Sequence, residues 1–146
     1  MKNKIDTFDG KYDFLSNFYE CSINWEGKVY RNSESIYQMY KTLDNVPYDF
    51  TQTTGAQAKK IGKTLNIRSD WNKIKLDLMY KICQEKFKQN PDLAQKLKNT
   101  GNSILIEGNY WNDTYWGICN GKGQNHLGKI LMKIRDELMG KQNQLF

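Results

Sequence analysis

The sequence predicts a single α+β domain, mainly α-helical with a small β-sheet, spanning residues 1–146, and three observations point there. A length of 146 residues suits one domain with its own core. From Ser33 onward apolar residues recur at helical spacing, whereas before it they fall in short runs between turn signals. No repeat, low-complexity segment or Pro/Gly/Ser linker marks a boundary.

The first 31 residues read as short strands and turns: "KIDTF", "CSINW" and "KVYR", with Glu26-Gly27 turning the chain between the last two. A helix then begins at Ser33 as N-cap, with Ile36, Met39, Tyr40 and Leu43 on its apolar face. A second helix is expected from about Thr54 to Leu65. A third runs from Asp70 to about Lys88, burying Trp71, Ile74, Leu78 and Ile82. Asn90-Pro91 restarts a short helix, with Pro91 in its first position and Gly101 just past its end. "SILIE", residues 103–107, is the best late strand. The last helix begins near Gln124 and places Leu127, Ile130, Leu131, Ile134 and Leu138 on one face.

Composition limits the function classes. Hydrophobic content is 38% and aromatic content 13%, so burial must lean on Trp, Tyr and Phe. No apolar run approaches the roughly 20 residues of a membrane span, and "MKNKIDTFDG" lacks a signal-peptide core. A cytoplasmic protein without membrane attachment is expected. Cys21, Cys83 and Cys119 share no CxxC spacing, and His126 is the only histidine, which argues against a disulfide framework and a metal site. Net charge is +6, and residues 59–98 hold 11 of the 22 Lys and Arg against four acids. That basic span is either a set of solvated helix faces or a surface for an anionic partner, such as a nucleotide or nucleic acid.

Three stretches could carry chemistry. In "SESIYQMYKTL", Glu34, Gln38 and Lys41 form one stripe opposite the apolar face, since each helical residue advances about 100°. The stripe is either solvent-facing or a cleft wall offering a carboxylate, an amide and an amine. In "IEGNYWNDTYWGICNGKGQNHLG", Glu107 closes a strand, Asp113 and Trp116 follow, and a glycine loop leads into the last helix. Unpaired N–H groups at a helix start attract anions. Gly121 and Gly123 would let a ligand approach the backbone, with Asn125 as cap or hydrogen-bond donor; alternatively the glycines only reverse the chain. The early cluster "YDFLSNFYE" supplies core aromatics together with Ser16 and Asn17, and a buried amide at Asn17 needs partners. Trp71 begins a core stripe, though a ring at a helix start could also stack on a base.

The pieces "FLSNFY", "YRNSESIYQMYK", "AKKIGK", "DWNKIKLDLMYKICQEKF", "QNPDLAQKLKNTG" and "LIEGNYWNDTYWGICNGKGQNHLGKILMKIR" together resemble the YbiA-like, or NADAR, family, in order and over nearly the whole chain. The specific patterns are E-x-x-x-Q-x-x-K, D-x-x-W-G and G-x-N-x-L-G. The resemblance implies a YbiA-like fold and an N-glycosidase that cleaves a ribose C1–nitrogen bond without a cofactor. Two substrate types come with it: ADP-ribose attached to guanine in nucleic acid, and a ribosylaminouracil phosphate of riboflavin synthesis. By position, Glu34, Gln38 and Lys41 match the helix motif. Glu107, Asp113, Trp116, Gly117, Asn125 and Gly128 match the C-terminal motif, and Ser16 and Asn17 the early one. Glu34, Lys41, Glu107 and Asp113 are the expected catalytic residues; the others, with Trp71 and Gly123, are expected to bind substrate. Many relatives carry histidine directly after the helix glutamate, where Ser35 stands here. Lys41 has two possible roles, as a charged anchor for substrate phosphate or as a neutral nucleophile forming a Schiff base. A non-catalytic module binding ADP-ribose or nucleic acid is the rival reading. The three carboxylates count against it, since they repel phosphate.

Overall fold

The computed structural model describes residues 3–141; Met1, Lys2 and residues 142–146, at the ends of the expected domain, lie outside the description. In chain order the elements are β1 (Lys4–Ile5), a 3₁₀ helix (Gly10–Leu15), β2 (Ile23–Trp25), β3 (Lys28–Tyr30), α1 (Ser33–Met39), α2 (Gly55–Gly62) and α3 (Trp71–Gln89). Then come α4 (Pro91–Asn99), β4 (Ile104–Leu105), β5 (Gly108–Asn109), β6 (Ile118–Cys119) and α5 (His126–Leu138). The fold is α+β as expected, and among the described residues the strands form three separate two-stranded pairs. The chain divides into two compact units, residues 17–90 and residues 1–16 with 91–146.

In the unit of residues 17–90, β2 and β3 pair antiparallel with Ile23 opposite Tyr30. Glu26 (φ 50°) and Gly27 (φ 82°) make the two-residue turn, the left-handed geometry that matches strand twist. Helix α1 starts at Asn32, not Ser33, as N-cap: the Asn32 carboxamide accepts the Ser35 N–H at 2.8 Å. The helix is short. Tyr40 and Lys41 close it with i−3 bonds to Tyr37 and Gln38, so Leu43 leaves the apolar face and is 75% exposed. Helix α2 carries a full capping box, Thr54 with Gln57. Along α3 the buried residues are Trp71, Met79, Ile82, Cys83, Lys86 and Phe87, while Ile74 and Leu78 are only half-buried. The buried face has shifted because α3 packs against both α1 and β2.

In the other unit, β1 and β4 run parallel, Ile5 beside Leu105, and β5 runs parallel to β6. Pro91 does open α4, and Gly101 (φ 66°) follows its end. Helix α5 buries Leu127, Ile130, Leu131 and Ile134 against β4 and α4, with Leu138 half-buried. Arg135 fastens α5 to the end of α4 by donating to the Thr100 hydroxyl at 2.9 Å. The 3₁₀ helix, which buries Phe14 and Leu15, stands where the sequence reads as strand and turn. Among the described residues no helix is long and apolar enough to cross a membrane.

Candidate active site

The candidate residues form two clusters, one in each unit. In residues 17–90 the E-x-x-x-Q-x-x-K stripe is buried rather than solvated: Glu34 is 8% exposed and Gln38 3%. One helical turn separates them, and the Gln38 amide donates to the Glu34 carboxylate at 2.5 Å. Gly62 of α2 makes room for this pair, since a Cβ there would lie 1.9 Å from Gln38 Oε1. That Oε1 atom is buried and accepts no hydrogen bond among the described residues. Lys41 follows α1 in its closing turn, half-buried, with Nζ 5.9 Å from the centre of the Tyr37 ring. Its ammonium pKa is lowered from the ordinary 10.5, chiefly by burial. Glu34 opposes the shift, and Lys59, Lys75 and Lys63 add to it.

Asn17 and Ser35 hold this stripe in place. The Asn17 carbonyl accepts the Glu34 N–H at 3.0 Å, and its side-chain oxygen accepts the Ser33 hydroxyl at 2.9 Å. Its side-chain amide donates to the Met79 sulfur at 3.5 Å, so the buried carboxamide is engaged within the protein. The Ser35 hydroxyl, fully buried, lies 2.7 Å from the Thr53 hydroxyl and 3.0 Å from the Thr53 carbonyl, tying α1 to the segment before α2. Trp71 is 6% exposed and its ring lies 4.9 Å from that of Tyr37, so the indole is a core ring of α1 and α3. Ser16, the C-cap of the 3₁₀ helix, belongs to the other unit and is half-buried.

The second cluster gathers around Glu107. Asn109, which sequence reasoning missed, donates to the Glu107 carboxylate at 3.1 Å and to the Asp113 carbonyl at 2.9 Å, and accepts the Asp113 N–H at 3.0 Å. Asp113 Oδ1 accepts the backbone N–H groups of Tyr115 and Trp116, so this carboxylate shapes the D-x-x-W-G turn. The Trp116 ring is half-buried and packs edge-to-face on Tyr115, with centroids 4.8 Å apart. Gly117 is a cradle: a Cβ there would lie 1.9 Å from the Glu107 carboxylate. Asn109 fits no spacing rule, whereas Gly62 in "AKKIGK" could have been singled out as a glycine inside a helix.

The glycine loop is built as a turn. Asn120 (φ 52°) and Gly121 (φ 75°) form a two-residue reversal, with Cys119 and Lys122 exchanging backbone hydrogen bonds. Gly123 lies so near residue 117 that a Cβ would sit 2.1 Å from the Gly117 carbonyl. The start of α5 is not open to an anion as expected. The N–H groups of Asn125, His126 and Leu127 donate to the carbonyls of Gly117, Tyr115 and Trp116. Asn125, in left-handed geometry (φ 53°), makes no side-chain cap. Its carboxamide bridges two backbone groups instead, accepting the Glu107 N–H and donating to the Leu105 carbonyl, both at 2.9 Å. Gly128 lets α5 approach β4, since a Cβ there would lie 2.1 Å from the Leu105 carbonyl.

The family model of the NADAR domain matches residues 5–139 and so runs through both units. The chain is 38% identical to a riboflavin biosynthesis protein of Vibrio vulnificus over 89% of its own length, and spans only 36% of that protein. It is 34% identical to N-glycosidase YbiA of Shigella boydii, covering 93% of this chain and 87% of the relative. N-glycosidase Npun_R5314 of Nostoc punctiforme is 31% identical, with coverages of 87% and 86%. The NMR structure of E. coli YbiA superposes with a TM-score of 0.82 at 29% identity, covering 100% of this chain and 94% of that one. With the family's motifs embedded in this geometry, the chain belongs to the NADAR domain family.

Proposed function

We propose that this chain is an N-glycosidase, a hydrolase of N-glycosyl compounds, in which Lys41 is the nucleophile and Glu34 its carboxylate partner. The observation that carries the reading is the burial of the stripe, which draws Lys41 half out of water near a Glu34 only 8% exposed and so favours the neutral amine. An amine that sheds its proton more readily is a nucleophile, whereas a phosphate anchor gains nothing from losing charge. In the reaction the Lys41 nitrogen bonds to ribose C1 as the C1–nitrogen bond breaks. The bond's electron pair leaves with the departing nitrogen, which takes up the proton lost by the amine. The ring oxygen then leaves C1 and is protonated, giving a Schiff base. Water adds to C1, the C1–lysine bond breaks, and free sugar and lysine are restored. Positive charge builds on C1 and the ring oxygen in the first step, and Glu34 stabilises it. Gln38 holds that carboxylate.

The substrate we favour is ADP-ribose attached to guanine in nucleic acid, supported by the lysines 59, 63 and 75 whose charges act on Lys41. A ribosylaminouracil phosphate is the second reading, supported by the riboflavin biosynthesis relative. The test incubates the protein with each compound and assays free ribose species, then repeats the reaction with borohydride. Reduction should trap a covalent sugar adduct on wild type and none on Lys41→Ala. Turnover without any trapped adduct would return Lys41 to the role of phosphate anchor, and no release from either substrate would leave a binding module.

A further inference from the structure

Sequence reasoning assigns Trp71 to substrate, yet the ring is buried and the mechanism above gives it no task. Two routes lead from it to Lys41 within the unit of residues 17–90. Along the backbone, the Trp71 N–H donates to the Arg68 carbonyl at 3.2 Å, and the Arg68 N–H donates to the Lys41 carbonyl at 2.7 Å. The Arg68 guanidinium pins that segment with two bonds to the Asp70 carboxylate, at 2.6 and 3.1 Å. Through side chains, the Trp71 ring lies 4.9 Å from the Tyr37 ring at an angle of 49°, and Lys41 Nζ stands over the Tyr37 ring, 5.9 Å from its centre. One tryptophan thus reaches the lysine at its backbone and at its amine. Both rings are buried, so neither can turn away without opening the close-packed core between α1 and α3.

We propose that Tyr37 and Trp71 are positioning residues for the Lys41 amine: the face of the Tyr37 ring holds the ammonium beside the stripe, and Trp71 sets the tilt of that ring. The face of an aromatic ring is electron-rich and attracts an ammonium within about 6 Å. The charges acting on the amine are Glu34 on α1 against Lys59 on α2, Lys63 at its C-cap and Lys75 on α3. Three cations to one carboxylate drive the ammonium outward, and the Tyr37 face joins Glu34 in keeping it in place. A lysine needs such a hold, because its four-carbon stem is flexible and a nucleophile must come within about 3–3.5 Å of the atom it attacks. The consequence for kinetics rests on Lys41 being the nucleophile of the N-glycosidase reading. The hold itself is a property of the free protein.

The test is an NMR pH titration of the full chain carrying carbon-13-labelled lysine, with the Lys41 signal identified by its loss in Lys41→Met. A ring face favours the charged amine, so its removal should lower the titration midpoint. Tyr37→Leu should lower it by about half a unit. Tyr37→Phe, which keeps the ring, should restore the wild-type midpoint. Trp71→Leu should shift the midpoint in the same direction, and adding it to Tyr37→Leu should shift it no further, because the tryptophan acts through the ring. On the high-pH plateau, kcat of Tyr37→Leu should fall about tenfold with KM little changed, and Tyr37→Phe should recover it. An unmoved midpoint in Tyr37→Leu overturns the proposal, as does an equal shift in Tyr37→Phe or a simple sum of the two shifts in the double variant. Should thermal melts show Tyr37→Leu unfolded, Tyr37→Met takes its place under the same expectations. The titration needs no substrate, which separates the two readings. Cleavage with an unmoved midpoint sinks the aromatic hold alone. A midpoint that moves as stated, with no cleavage of any N-glycosyl compound, sinks the enzyme reading and leaves the hold.

Discussion

At Lys41, burial strips water from the ammonium while Glu34 favours it, and burial with three neighbouring lysines prevails. The pH–rate profile should therefore rise through an inflection below 10.5, and Glu34→Gln should move that inflection lower because it removes the opposing charge. The stability sign follows from linkage. Between the lowered folded value and the unfolded one, the unfolded chain binds more protons, so the Lys41 contribution to stability rises with pH in that window. Below the folded value the charged amine is a standing cost, and Lys41→Met should remove it. Turnover in Lys41→Met and in Glu34→Gln should fall by roughly 10²-fold or more. A Lys41→Met variant with a lower melting temperature at neutral pH would contradict the burial argument.

Between elements the decisive features are close approaches. Gly62→Ala would gain about 1 kcal/mol of helix propensity in an open helix. Here its Cβ would meet Gln38 Oε1 at 1.9 Å, so either α2 or the Gln38 amide must give way, and the Glu34–Gln38 pair is disturbed. The expected result is lower stability and lower kcat, read by thermal melts and initial rates. Asn125→Ala removes two hydrogen bonds that fasten the start of α5 to β4, a loss of about 2 kcal/mol at about 1 kcal/mol each. Its kinetic effect should fall on kcat through Glu107, with KM little changed; a raised KM alone would show that Asn125 binds substrate directly. These features also mark how far the sequence could be read. Helices α3, α4 and α5 were legible because apolar periodicity and, for α4, the bounding Pro91 and Gly101 are local signals. The α1–Thr53 tie and the Asn109 bridge were not, since each needs side chains from different turns or segments. The loop before α5 was legible as either an anion site or a chain reversal, but the choice between them was not, because it lies in the carbonyls of residues 115–117 that the loop meets.

For the whole molecule, salt dependence is the measurement that separates the two proposed substrates. On α2 and its C-cap, Lys60 and Lys63 are exposed and Lys59 half-exposed, so a nucleic-acid substrate should bind with a steep inverse dependence on salt. A small ribosyl phosphate engages fewer cations, and its KM should change little from 50 to 200 mM salt. Flat salt behaviour toward modified DNA would shift preference to the riboflavin-type compound. The parallel pairing of Lys4 with Ile104 has a different consequence, one that belongs to synthesis rather than chemistry. As the chain leaves the ribosome, β1 emerges ahead of β4 and has no partner strand until Ile104 and Leu105 have been made. Residues 17–90 meanwhile hold both strands of their hairpin and all of α1–α3. Residues 17–90 can thus acquire order during translation while β1 waits, and a chain cut short before Ile104 leaves β1 with no strand to join.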